Sequence, residues 1–159
     1  MPPAARVYLE AVMPLSLRSQ PAPPPSDSAS LRILLADPSR THRMQATAVL
    51  LRWGIVPTIA CDGAQAVHLA EQRDFDLVLM DLALPVMDGI VATARIRQFE
   101  REHPSRPRRP IVAYTALDLA PHRTQLARVG LSAVLPKPCS ARSLRSCLQQ
   151  WCPNRVFAD

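Results

Sequence analysis

The sequence predicts an α/β domain, a doubly wound, five-stranded parallel sheet with helices on both faces. Three observations predict it. Short apolar runs alternate with segments of 3.6-residue periodicity, five times over. The central run, Leu77 to Met80, is apolar at every position, as a strand covered on both faces must be. Four of the five runs are followed, directly or after one proline, by a polar residue: Asp37, Asp81, Thr115 and Lys137. In an open α/β sheet the carboxyl ends of the strands are where ligands bind.

Residues 1–30 hold seven of the 17 prolines, among Ser, Ala and Gln, and read as a disordered Pro-rich arm with no chemistry of its own. Arg32–Ala36 is the first strand, ending on Asp37. Pro38 and Ser39 open a helix, since Pro suits a first turn and Ser caps well. Ala46, Val49, Leu50 and Trp53 form its apolar face, and Gly54 stops it. Ile55–Ala60 is the second strand. Asp62 and Gly63 lead into a helix carrying Ala66, Val67, Leu69 and Ala70. Asp76–Asp81 is the third strand. Pro85 breaks the loop, and Asp88–Gly89 starts a long Arg-rich helix that runs out near Glu102. His103–Arg109 is a polar loop. Pro110–Tyr114 is the fourth strand, with Thr115 after it. Asp118–Val129 is a helix stopped by Gly130. Ser132–Leu135 is the fifth strand, followed by Pro136-Lys137-Pro138. Ala141, Leu144, Leu148 and Trp151 face inward from a last helix that Pro153 ends, leaving 153–159 as a tail.

A chain of 159 residues with few aromatics builds its core from Leu, Val, Ile, Ala and Met. The net charge of +6 comes from arginine: 18 Arg against a single Lys, Lys137. Arg106, Arg108 and Arg109 crowd one loop, which reads as solvated rather than as a nucleic-acid patch, because no aromatics interleave. Cys61, Cys139, Cys147 and Cys152 form no Cys-x-x-Cys pair and read as reduced thiols of a cytoplasmic protein. No run reaches transmembrane length, so no membrane insertion is expected. His42, His68, His103 and His122 lack a second ligand at helical spacing and read as solvated.

The motifs Ile-Leu-Leu-Ala-Asp at 33–37, Met-Asp-Leu-Ala-Leu-Pro-Val-Met-Asp-Gly at 80–89, Ala-Tyr-Thr-Ala at 113–116 and Pro-Lys-Pro at 136–138 are specific in combination. On them residues 31–152 resemble the receiver domain of two-component response regulators. This is the family of the chemotaxis regulators and of the receivers fused to hybrid histidine kinases, and the latter are most similar in the polar tail of the long helix. The resemblance implies a flavodoxin-like (βα)5 fold and a single-domain receiver. It would take a phosphoryl group on Asp81 from a histidine kinase or phosphotransfer protein and then signal to a downstream protein. This is self-catalysed phosphotransfer, not turnover of a small substrate. It further implies that Lys137 binds the phosphoryl group, that Thr115 moves onto it, and that Lys137–Pro138 is cis. Mg²⁺ would be held by Asp37, Asp81 and the backbone carbonyl of Ala83.

The residue types suit that chemistry. Phosphoryl transfer spreads negative charge over three oxygens and needs positioning and charge stabilisation more than covalent help. Lysine supplies a compact point charge that the planar arginine fork does not replace. Two departures stand out. Pro38 occupies the place where the family carries a second metal-ligating acid, which predicts weakened Mg²⁺ binding and slower phosphorylation. It opens the alternative of a pseudo-receiver, an interaction module that works without phosphorylation. Val134 stands where many receivers have an aromatic that moves with the threonine, which predicts a muted output.

Overall fold

The computed structural model describes residues 30–155 and 157. The Pro-rich arm expected at 1–30 lies outside the described residues apart from Ser30, as does part of the tail expected at 153–159. Strands β1 (Ile33–Ala36), β3 (Leu77–Met80) and β4 (Ile111–Thr115) are buried along their whole length. Such strands need cover on both sides, and helices supply it. The strands β2 (Thr58–Ala60) and β5 (Ala133–Pro136) form the edges of a parallel sheet ordered β2-β1-β3-β4-β5.

Side chains alternate across the pleat and so build two cores. Leu34, Ala36, Val78, Met80, Ile111 and Ala113 pack on α2 (Gly63–Gln72), α3 (Gly89–Glu102) and α4 (Arg123–Val129) through Ala66, Ala70, Ala92, Ile96 and Leu126. Ile33, Leu35, Leu77, Leu79, Val112 and Tyr114 pack on α1 (Arg40–Arg52) and α5 (Ala141–Trp151) through Ala46, Leu50, Leu144 and Leu148.

Local chemistry sets the helix starts. Ser39, Asp62, Asp88 and Ser140 each accept a backbone N–H of the first turn. Each satisfies a donor that the helix leaves without an internal partner. Gly130 ends α4 at φ 108°, a left-handed cap that favours glycine.

All five expected strands and five helices form, with ends shifted by a few residues. The second strand starts only at Thr58, because Pro57 has no N–H to give a ladder. The segment expected as one helix, Asp118–Val129, splits into a 3₁₀ turn (Ala120–His122) and α4. Pro121 within that turn has no N–H to extend a helix through it.

The 103–109 loop corrects the reading of its arginines as solvated. Arg109 is only 2% exposed. Its backbone N–H and its Nε both donate to Glu100 Oε1 at 3.1 Å, and its Nη1 donates to Ala70 O at 2.6 Å. Arg97 donates to Glu100 Oε2 and Arg109 O, both at 2.7 Å, and to Gly130 O at 2.8 Å. Arg106 donates to Glu71 O at 2.8 Å and lies over the Phe99 ring. The reason is topological. The loop crosses beneath α2 and α3, where backbone carbonyls and one buried glutamate need donors. Only Arg108 of the three is exposed.

The four cysteines are free thiols, Cys147 and Cys152 buried. Burial pushes the Cys147 thiol up to about 11, with nearby Cys139 and Cys152 adding to it.

Two predictions follow from this packing. Glu100→Ala leaves two buried guanidinium groups without their carboxylate and should cost about 3–5 kcal/mol in urea unfolding. For Cys147, the folded pKa lies above the unfolded one, so the folded chain holds its proton longer as pH rises. That share of stability is complete below the ordinary thiol pKa and is lost as pH climbs to about 11. Unfolding midpoints of the wild type and Cys147→Ala across that window measure it.

Candidate functional site

Sheet order decides which strand ends meet. The chain leaves β1 toward β2 on one side, and β3 inserts on the other. Ligand sites form where the order reverses in this way. Ala36 pairs with Met80, so Asp37 and Asp81 emerge side by side. Backbone bonds fix both: Asp81 N–H donates to Ala36 O at 2.9 Å, and Asp37 N–H donates to Ala60 O at 3.1 Å.

Asp37 is fully buried. Its Oδ1 accepts the Ser39 N–H at 2.8 Å, and its carbonyl accepts Arg43 Nη1 at 2.8 Å. Asp81 is 7% exposed, and its Oδ1 accepts the Ala83 N–H at 2.9 Å. That bond folds the loop after β3 back beneath the carboxylate. Gly89 then lets α3 start against the same strand end. A Cβ there would lie 2.1 Å from Asp81 O, closer than any side chain permits.

Lys137 joins the two acids. Its Nζ donates to Asp37 Oδ2 and, at 2.7 Å, to Asp81 Oδ2. The loop that delivers it is pinned by Lys137 N–H donating to Thr115 O at 2.9 Å, and Lys137–Pro138 is cis, as expected. Thr115 is the last residue of β4 and 1% exposed. Its hydroxyl oxygen accepts the Leu117 N–H at 3.2 Å and is not among the partners of Asp81. Asp37, Asp81 and Lys137 are therefore brought into one bonded cluster, with Thr115 next to it on β4.

Two further residues belong to the site. His42 was read as solvated. It is half-buried, and its Nδ1 lies 3.2 Å from Lys137 Nζ and 3.6 Å from Asp37 Oδ2. The signal was its place in the first turn of the helix that follows Asp37, which puts it at the same sheet edge. Of the other histidines, His103 stacks on Phe99 at 4.0 Å, while His68 and His122 are exposed. Tyr114 is 5% exposed, and Lys137 Nζ sits over its ring, 4.6 Å from the centroid. Burial pushes the Tyr114 phenol up to about 12, and Cys139, Asp37 and Asp81 add to the shift. Val134 is half-buried against the α2/α3 core.

The donor set suits a small hard cation. Two carboxylate oxygens converge on one point, where the Lys137 ammonium sits. Mg²⁺ needs only one or two protein carboxylates and keeps several waters. Pro38 adds no ligand: its side chain carries no oxygen, and it has no N–H. No group of three or more His, Cys, Asp or Glu side chains among the described residues has the arrangement of a metal cage.

Comparison with known proteins fits this geometry. The model of the response regulator receiver domain family matches residues 33–149. The sensor protein GacS of Pseudomonas syringae pv. syringae is 34% identical over 142 residues, covering 89% of this chain and 15% of GacS. Histidine kinase 5 of Arabidopsis thaliana is 30% identical, over 79% of this chain and 16% of that protein. The chain thus spans under a fifth of these relatives. Among solved structures, the receiver domain of the sensor histidine kinase PA1611 from Pseudomonas aeruginosa PAO1 has magnesium coordinated in its active-site cleft. It is 36% identical with a TM-score of 0.68, covering 77% of this chain and 98% of that one. The Saccharomyces cerevisiae co-crystal of the phosphotransfer protein Ypd1 with the receiver domain of Ssk1 matches at 26% identity and a TM-score of 0.73, over 79% of this chain and 92% of that one. No helix among the described residues is long and apolar enough to cross a membrane.

Removing the ammonium tests the cluster. Lys137→Met strands the fully buried Asp37 carboxylate without its cation and should cost about 3 kcal/mol. Adding Asp37→Asn should recover at least half of that loss in the same unfolding assay.

Proposed function

The chain belongs to the response regulator receiver domain family of two-component signalling, and on that premise we propose that Asp81 is its phosphoacceptor. The donor is a histidine kinase or phosphotransfer protein, and the fold itself carries out the transfer. The supporting observation is that the Asp81 carboxylate, Asp37 and the chain's single lysine form one bonded cluster at the reversal point of the sheet.

One Asp81 oxygen attacks phosphorus, an O–P bond forms, and the donor's P–N bond breaks with its electron pair left on the imidazole. Asp81 Oδ1 is oriented by the Ala83 N–H, which leaves Oδ2, the oxygen now bonded to Lys137, to face the incoming group. Lys137 then turns from Oδ2 to a phosphoryl oxygen, keeping one positive charge beside the spreading negative one. The Thr115 hydroxyl, bonded only to a backbone N–H of its own loop, is the group that would swing to the same phosphoryl. Asp37, Asp81 and the Ala83 carbonyl would hold Mg²⁺, which neutralises charge and aligns the reacting oxygens. With Pro38 in place of an acid, that ion binds more weakly. The receiver unit spans 31–152 and works in the cytoplasm, and its downstream partner is a protein that reads the phosphorylated form.

The second reading, a pseudo-receiver, has Pro38 in its favour and the complete Asp81–Lys137–Asp37 cluster against it.

Intact mass after treatment with phosphoramidate separates the two. The first reading expects a Mg²⁺-dependent gain of one phosphoryl group that Asp81→Ala abolishes; no gain at any Mg²⁺ concentration refutes it. Pro38→Asp should tighten Mg²⁺ binding about tenfold, since affinity follows ligand charge count. Calorimetric titration of both proteins measures that change.

A further inference from the structure

An ammonium group has three N–H donors and no acceptor. In this site Asp37 Oδ2 and Asp81 Oδ2 accept two of them, and His42 Nδ1, 3.2 Å away, is within reach of the third. The Tyr114 ring is a fourth neighbour, with Nζ over its face, 4.6 Å from its centroid. The side chain is 5% exposed, so little water competes for these contacts.

Of these four partners, two change when Asp81 is phosphorylated or a metal enters, because both are carboxylates that take part. His42 and Tyr114 do not react. We propose that they are positioning residues that hold the Lys137 ammonium in the site while its bonds to the carboxylates are exchanged for bonds to a phosphoryl group. The proposal rests on the receiver reading above and assigns roles to two residues that reading does not use.

The chemistry of each residue fits. An imidazole nitrogen that carries no proton is a neutral acceptor for a lysine N–H. A second cation at this place would repel Lys137, and a third carboxylate would compete with the phosphoryl group for it. A neutral acceptor does neither. The position is set from below: His42 donates its backbone N–H to the Ser39 cap at 3.3 Å, so the first turn of α1 fixes where the ring leaves the helix. The Tyr114 ring face carries negative charge density and attracts a cation without binding it to one atom. An aromatic face therefore permits the ammonium to slide from a carboxylate to a phosphoryl oxygen, where a fixed ion pair would resist. Alternation along β4 explains the location. Tyr114 points to the α1/α5 side of the sheet, where the 136–138 loop arrives, and Thr115 points the other way.

The chain's single lysine makes the idea measurable, because lysine labelled with ¹⁵N at Nζ gives one side-chain resonance, that of Lys137. Its ammonium and adjacent methylene protons should be shifted upfield by the ring in the wild type. Tyr114→Phe, which keeps the ring, should preserve that shift; Tyr114→Leu should abolish it. Phosphorylation of Asp81 by phosphoramidate at saturating Mg²⁺ should be within twofold of wild type in Tyr114→Phe and about tenfold slower in Tyr114→Leu. His42→Ala should likewise be slower by about threefold to tenfold, with His42→Asn, which retains a neutral acceptor, restoring most of the rate.

A Lys137 resonance without ring shift, or equal rates in Tyr114→Leu, His42→Ala and wild type, overturns the proposal. Failure of the receiver reading looks different: the wild type takes up no phosphoryl group, while the Lys137 resonance still decides where the ammonium sits.

Discussion

The site depends on one lysine ammonium lying between two carboxylates at adjacent strand ends. Asp37 and Asp81 are drawn together by the pairing of β1 with β3, not by any attraction of their own. Two buried like charges at that separation repel, and burial removes the water that would screen them. Lys137 arrives from the far edge strand to offset this. The same contact holds the chain's one lysine ammonium between the two strand ends.

The division of labour between cations follows from their shapes. Arginine serves the scaffold here. Arg97, Arg106 and Arg109 aim their planar forks at the backbone carbonyls of Arg109, Gly130, Glu71 and Ala70, and Arg43 does the same for the carbonyl of Asp37. Such a fork satisfies several acceptors at once but cannot rotate freely among them. The chain's one lysine sits instead between two carboxylates. Pro38, next to Asp37, contributes no carboxylate, so the pocket gathers two carboxylates, one ammonium and the His42 imidazole.

Much of this was legible in the residues. The apolar runs gave five strands because a strand buried on both faces has no polar position to hide. The helix caps Ser39, Asp62, Asp88 and Ser140 announce helix starts by local hydrogen bonding alone. Asp81, Asp37 and Lys137 showed as polar residues that end apolar strands. The arginines of the 103–109 loop misled, because a charged, Pro-rich segment reads as solvated unless one knows that it passes under two helices. His42 misled for a related reason. A lone histidine on a helix has no local signature, and its partner Lys137 lies 95 residues away.

The sequence by itself determined the secondary structure, the parallel class of the sheet and the types of residue at its carboxyl edge. These depend on periodicity and caps, which act over a few residues. The tertiary structure alone decided which of those residues touch: that one ammonium meets Asp37, Asp81, His42 and the Tyr114 ring, and that Arg109 is buried against Glu100. Charges and rings interact over a few ångströms, and only the strand order brings residues so distant in the chain within that range.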